Sequence, residues 1–384
     1  MGEHGLSVNW VYDCGTTSND VLLENALEAF VRRQDLIETS TIRLCVLSHF
    51  DRDHVGGIVR LIERIPVTTL LLPYMPLWQR LVIALSEGVE ADDPFFSFYL
   101  NPVAFLVSGG REGRIGEILF VPASGPEDSA PPDPPGFEGG PPRREIDLKV
   151  ERGDQPEEAS DDPAATSTTS VQVRFLRPAG RILAPSLWEF VPYNDASLSP
   201  NATPTFIAAA NPLLSILLHD PANRRKALTN LKSLYDRHFG ATSKNRNLIS
   251  LFLYSGPLGR LRFEVGPPKA SKAHSRSEDN RYAQIYTGDG TLDAGKRFDA
   301  FERFYGSGRL ARTAFFQVMH HGSRHNWHQG IAAKLRPSVS LFSSDPLHRR
   351  FRHPHGEVLR DFWPYGAVQI DRDRGYQFDC WLSA

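Results

Sequence analysis

The sequence predicts a layered α/β fold, and three observations carry that prediction. Strand-like and helix-like runs alternate through the first third of the chain. Three apolar strand-like runs each end in a loop rich in histidine or aspartate. The apolar fraction of 41% is enough for a core, yet no apolar run approaches the roughly 20 residues that span a bilayer.

The elements follow in order. Residues 8–13 read as a short strand ending in Asp13-Cys14-Gly15. Residues 20–34 place Val21, Leu22, Leu23, Ala26, Leu27, Phe30 and Val31 at helical spacing. Ile42–Leu47 is a buried-strand pattern, Ile58–Arg64 a helix stopped before Pro66, and Val67–Leu72 the next strand. Residues 77–110 are helical and aromatic-rich, a helical insertion or cap. Val171–Leu176 and Leu248–Tyr254 read as strands, and Asp220–Phe239 as a capped helix. Tyr282–Tyr286, Phe315–Met319 and Ser338–Ser343 are further strands. All of this suits a single domain over 1–384.

Residues 122–163 stand apart, with ten prolines and twelve acidic residues against four basic ones. Such a composition buries too little apolar surface to offset ordering entropy, so a disordered loop is expected over 122–170. Three dispersed cysteines, Cys14, Cys45 and Cys380, exclude a disulfide framework and fit a reducing, cytoplasmic setting. The first residues lack the basic and apolar regions of a signal peptide. A net charge of −2 supplies no global basic field for nucleic acid.

The chemistry gathers at the strand ends. Ser48 to Gly57 reads Ser-His-Phe-Asp-Arg-Asp-His-Val-Gly-Gly, placing His49, Asp51, Asp53 and His54 within six residues. A tight turn of that kind supplies ligands to two metals, and Gly56 and Gly57 permit close backbone approach. Gly288-Asp289 and His320-His321-Gly322-Ser323 end two later strands and complete a metal-competent set. His219, His238 and His274 lie outside any metal-like spacing and read as surface histidines.

These residues resemble the metallo-β-lactamase superfamily, whose metal turn is His-x-His-x-Asp-His. Within it the chain is most similar to the hydrolase domain of the ComEC competence proteins and their stand-alone relatives. The likeness rests on Asp13-Cys14-Gly15, Ser48 to Gly57, Asn247-Leu248-Ile249-Ser250, Gly288-Asp289, His320 to Ser323 and His353-Pro354, in that order along nearly the whole chain. It implies a four-layer αββα sandwich with one or two divalent metals. His49 and Asp51 would serve a first metal, and Asp53 and His54 a second. Asp289 would bridge, and either His320 or His321 would complete the second site. Asp13 would orient the turn by hydrogen bonds.

Two departures matter. Asp51 stands where the superfamily has its second histidine, and Asn247 where a further histidine usually follows. The first site is therefore expected to be oxygen-rich and partly filled, and the second complete. Oxygen ligands favour Mn²⁺ or Mg²⁺, with Zn²⁺ also compatible.

The implied activity is attack by a metal-activated water on a phosphodiester, nucleic acid included, with Asp53, His353 and His355 as catalytic residues. His353 and His355 would bind phosphate or protonate the leaving group. Ser323 would support the site or touch substrate, and Arg324 would touch substrate. Arg309, Arg312, Arg324, His325, His348, Arg349, Arg350 and Arg352 would line a basic mouth. Two alternatives stay open. One is hydrolysis of a small ester, thioester or lactone in a pocket lined by 77–110. The other is a metal-stabilised partner protein docking through the 95–105 aromatics and the acidic loop.

Overall fold

The computed structural model describes residues 8–16, 19–36, 40–132, 147–185, 187–200, 202–240, 249–258, 262–265, 281–345, 352–378 and 380–383. Asn247, His274, His348, Arg349 and Arg350 lie outside this set.

The first part runs β1 (Trp10–Tyr12), α1 (Asp20–Leu36), β2 (Ile42–Val46), α2 (Arg52–Arg64), β3 (Val67–Pro73), α3 (Leu77–Ser86), α4 (Phe96–Leu100), α5 (Pro102–Val107) and β4 (Ile115–Val121). It continues with β5 (Lys149–Val150), β6 (Arg152–Gly153), β7 (Gln172–Leu176), β8 (Ile182–Ala184), β9 (Trp188–Tyr193), α6 (Pro204–His219), α7 (Arg224–Phe239), β10 (Phe252–Pro257) and β11 (Arg262–Val265). The last part is β12 (Ala283–Tyr286), α8 (Gly295–Arg312), β13 (Thr313–Gln317), α9 (Ile331–Leu335), β14 (Val339–Ser343), α10 (Gly356–Phe362), β15 (Ala367–Ile370) and β16 (Cys380–Ser383).

One sheet has the order β1-β2-β3-β4-β7-β6, parallel except where β6 meets β7. A second has the order β15-β14-β13-β12-β10-β9-β8-β5. Its β12–β15 half is parallel and the rest antiparallel. Strands β11 and β16 pair separately. Among the described residues, no helix is long and apolar enough to cross a membrane.

Strand alternation explains how the layers pack. In β2, Cys45 joins the large cluster under α1–α3, whereas Leu44 and Val46 turn the other way. Leu71 and Leu119 of the first sheet then meet Ile182, Phe190, Leu251 and Leu253 of the second-sheet region. On the opposite face of β10, Phe252 and Tyr254 pack with Phe298, Phe301 and Tyr305 of α8. Each strand of this kind is buried on both faces, which is why it reads as a continuous apolar run. Each such Leu or Phe contributes roughly 1.5–3 kcal/mol on burial.

Several expectations need correction. The helix after the His49–Asp51 turn begins at Arg52, not Ile58, so Asp53 and His54 sit in its first turn. Asp51 is still extended (φ −69°, ψ 145°), and Val55, Ile58, Leu61 and Ile62 bury one face. Asp53 in that turn complements the helix N-terminus. The strand expected at 248–254 is β10, shifted to Phe252–Pro257. Helix α6, over a segment to which the sequence reading assigned no element, contains Pro212 in its interior.

The disordered loop expected over 122–170 is the largest correction. Residues 147–170 carry β5, β6 and a short 3-10 turn, and Ala159, Asp162 and Ala164 are buried there. Arg80 of α3, itself buried, donates to both carboxylate oxygens of Asp162 at 2.7 and 2.8 Å. A composition count cannot register one ion pair that anchors a polar segment. Residues 133–146 of that loop lie outside the described set.

Candidate metal centre

The first sheet supplies half of the site. After β1, Asp13 turns the chain at φ 53°, a left-handed conformation uncommon outside glycine. Its Oδ1 accepts from Ser48 N at 2.7 Å and its Oδ2 from Ser48 Oγ at 2.5 Å. Ser48 Oγ also lies 2.7 Å from His49 Nδ1. The hydroxyl proton is committed to Asp13, so Nδ1 of His49 donates to Ser48. The lone pair of a neutral His49 is therefore on Nε2.

That atom faces carboxylates across the gap between the sheets. Nε2 of His49 is 3.6 Å from Asp51 Oδ2 and 3.9 Å from Asp289 Oδ2. It is buried with no hydrogen-bond partner among the described residues, as is Nδ1 of His54. His54 lies between Asp13 (Nδ1–Oδ2 3.5 Å) and Asp53 (Nε2–Oδ2 3.7 Å), with its ring 4.0 Å from that of His49. Buried polar atoms are almost always paired, so these two call for a partner. A divalent cation among imidazole nitrogens and carboxylate oxygens fits that donor set. Ligand atoms of His49, Asp51 and Asp289 all lie within 4.8 Å of one another, as do those of Asp13, His49 and His54.

The second sheet supplies the other half. Gln317, at the end of β13, accepts from the backbone N–H of Thr287 (3.0 Å) and Gly288 (3.3 Å) and so shapes the loop after β12. Gly288 has φ +49°, and a Cβ there would meet Ser250 Oγ at 2.5 Å and Ser48 Oγ at 2.6 Å. Glycine at this point lets the two halves close. Asp289 follows, 3.6 Å from both His320 Nε2 and His321 Nε2.

The sequence left open which of His320 and His321 completes the second site, and the two lie beyond the strand rather than on it. Strand β13 stops at Gln317, and the two histidines lie in a 3-10 turn with left-handed φ of 44° and 59°. Both rings therefore face Asp289. Nδ1 of His321 donates to Ser343 O at 2.5 Å, which leaves its Nε2 lone pair toward the carboxylate. Two non-glycine residues in this region carry strain of order 1–3 kcal/mol each, a feature concentrated at functional sites.

The electrostatics agree with a cation site. Burial opposes charge on His49, yet Asp51, Asp289 and Asp13 outweigh it and push its pKa up to about 10. Burial alone would raise Asp289, but His320, His49, His321 and His54 hold it far below the usual carboxylate range. Asp51 and Asp13 are lowered likewise: burial is overcome by His49 for the first and by His54 for the second. Burial pushes His353 down to about 4, helped by neighbouring His320, His321 and His355.

The group His49, Asp51 and Asp289 is the one expected of the first site with its bridging carboxylate, and Asp13, expected only to orient the turn, also stands among the ligand candidates. The expected second site is met in pairs, Asp53 with His54 and Asp289 with His320 and His321. The His353 ring is 5.8 Å from that of His320 and 4.9 Å from that of His355. Nδ1 of His355 accepts from Arg324 N at 3.3 Å.

Ser323 is buried, and its Oγ accepts from His325 N, so of its two expected roles it has the geometry of a support for the turn after the histidines. Two other expectations fail. Arg309 is buried against Glu189 (2.8 and 3.0 Å), and Arg312 lies 4.0 Å from the same carboxylate, so neither lines a mouth. Phe95, Phe96, Phe98 and Tyr99 are buried and cannot serve as exposed docking elements.

Sequence reasoning also missed supports of the site. Ser48 stood inside the motif without a role, and Gln317 had no motif at all. Glu87, after α3, is exposed, yet partial desolvation and then Asp51 and Asp53 push its carboxyl up to about 7. No family model matches the sequence, and a search among curated proteins finds no relative.

Proposed function

We propose that this chain is a metal-dependent hydrolase with the αββα metallo-β-lactamase sandwich, of the ComEC-like type, acting on phosphodiesters. The observation that carries the reading is the unpartnered Nε2 of His49, aimed between Asp51 and Asp289 from opposite sheets. The three apolar clusters, one between the sheets and one outside each, support the sandwich.

His49, Asp51 and Asp289 would hold one divalent ion, Mn²⁺ or Zn²⁺ with Mg²⁺ also compatible. His54, with Asp13 or Asp53, and His320 or His321 would hold a second. Bound metal would acidify a water and polarise the scissile ester. Ser48 keeps His49 in the tautomer with a free Nε2, and Gln317 fixes the Asp289 loop. His353 is neutral near pH 7, so it serves as a hydrogen-bonding partner for a phosphoryl oxygen. His355, whose ring lies 4.9 Å from that of His353, would protonate the leaving group.

Arg309 and Arg312 are withdrawn to Glu189, while the backbone N–H of Arg324 donates to His355 Nδ1 and so stays beside the histidines. The test is cleavage of bis-p-nitrophenyl phosphate and of single- and double-stranded DNA and RNA by protein loaded with Mn²⁺, Mg²⁺ or Zn²⁺. Turnover of the small diester is expected, and absence of cleavage with all three metals refutes the reading. Cleavage of p-nitrophenyl acetate or a lactone alone would move it to the ester alternative.

A further inference from the structure

The metal loop is gripped from one side by the helical cap. The Phe50 ring, between His49 and Asp51, is fully buried and stands edge-on to Phe98 of α4, centroids 5.0 Å apart. The buried Tyr99 hydroxyl donates to the Phe50 carbonyl oxygen at 2.9 Å. That oxygen belongs to the peptide group linking Phe50 to Asp51. A peptide group is planar, so holding its oxygen restrains the direction in which the Asp51 Cα leaves Phe50, the residue after His49.

Tyr99 is itself held. Arg80 Nε donates to Tyr99 O at 3.0 Å, and Arg80 Nη2 to Leu100 O at 3.2 Å. The same guanidinium is locked by Asp162 at 2.7 and 2.8 Å. Beyond Asp51, Arg52 reaches back to the cap, 2.9 Å from Asp93 and 5.5 Å over the Phe95 ring. The cap therefore holds the loop on both sides of Asp51. No other carbonyl between two ligand residues of the His49–His54 segment has a side-chain hydrogen bond from the cap among the described residues.

We propose that Tyr99 is a positioning residue of the metal centre. Its hydroxyl sets the span between His49 Nε2 and the Asp51 carboxylate, and the Asp162–Arg80 pair holds the tyrosine in place. This deepens the metal-centre reading and rests on it. Outer partners that orient ligands typically change metal affinity 10- to 100-fold when removed.

The test uses the full chain as wild type, Tyr99→Phe and Phe105→Leu. Tyr99→Phe keeps the ring and removes only the hydroxyl. Phe105 touches Phe95 and Phe98 in the cap core, so Phe105→Leu loosens the cap and leaves the Tyr99 hydroxyl intact. Equilibrium dialysis with Mn²⁺ and Zn²⁺, the absorption spectrum of the Co²⁺ form, and melting with and without metal are measured. Tyr99→Phe is expected to weaken metal binding about tenfold, shift the Co²⁺ bands and narrow the melting gap between loaded and metal-free protein. Phe105→Leu is expected to lower both melting points together and leave affinity and spectrum unchanged.

Should Tyr99→Phe not fold, Phe98→Leu removes the ring under Phe50 and is expected to shift affinity and spectrum the same way, by less. Wild-type affinity and spectrum in Tyr99→Phe, or in Phe98→Leu if that variant must stand in, overturn the positioning role and leave the metal centre standing. A wild-type chain that takes up none of the three metals overturns both.

Discussion

Gly56 and Gly57 are adjacent in α2, yet replacing each by alanine should move stability in opposite directions. A Cβ on Gly57 would fall 1.8 Å from Cys14 O and 2.4 Å from Cys14 C. A carbon and a carbonyl oxygen approach comfortably only to about 3.3 Å, so the helix and the Asp13–Gly15 turn must separate by roughly 1.5 Å. The obstacle is backbone on both sides, so no rotamer change relieves it. Overpacking of this kind costs about 1–3 kcal/mol or more, against about 1 kcal/mol gained from helix propensity. We expect Gly57→Ala to lose at least about 2 kcal/mol in urea unfolding, because the clash is with rigid atoms. The shift also draws Asp53 and His54 away from Asp13, so metal affinity should fall with stability. A Cβ on Gly56 meets nothing within 4 Å, and Gly56→Ala should gain about 0.5–1 kcal/mol with metal binding intact. A Gly57→Ala protein within about 0.5 kcal/mol of wild type would refute the close approach of turn and helix.

Four more outcomes are expected. Ser48→Ala frees the His49 ring from Asp13 and should weaken metal binding about 10- to 100-fold by isothermal titration, with a smaller loss in melting temperature. Asp162→Ala strands the buried Arg80 guanidinium and should cost about 3–5 kcal/mol in chemical denaturation, and an unchanged midpoint would remove the pair as an anchor. For the metal-free protein, the raised His49 contributes stability in full below 6.5 and loses it as pH rises toward about 10. The lowered Asp13, Asp51 and Asp289 contribute above 3.8 and lose it as pH falls below that. His353, lowered to about 4, contributes above 6.5 and loses it as pH falls toward 4, so metal-free melting should peak near the upper of these limits. A metal at His49 would displace its proton, so binding should release protons and tighten from about pH 6 to pH 9, as calorimetry in buffers of different ionisation enthalpy would record.

The strands and the ligand residues were legible because their signals are local. Ile42–Val46 and Val67–Pro73 are apolar runs, and His49 to His54 is a dense motif. The relations between distant segments were not legible. That His320 and His321 both face Asp289 depends on two left-handed residues, which no side-chain pattern announces. That Arg309 is withdrawn from the mouth depends on Glu189, 120 positions earlier. Asp162 likewise looked like one more acid in a polar stretch until Arg80 was found beside it. Charge counting sees residue types, whereas burial decides which charges are spent on each other.

The seam at Gly288 has a consequence for how the protein comes together. Ser48 and Ser250 crowd that glycine from opposite sheets, and Leu251 N donates to Ser48 O at 2.8 Å. His49 and Asp289 therefore become neighbours only after segments some 240 residues apart have closed on each other. A cation held between them would act as a rivet. It would bind the assembled halves and not the separated ones, adding about 4 kcal/mol at a thousandfold excess over its dissociation constant. Metal supply would then govern how long the chain survives proteolysis, independently of any turnover at the centre.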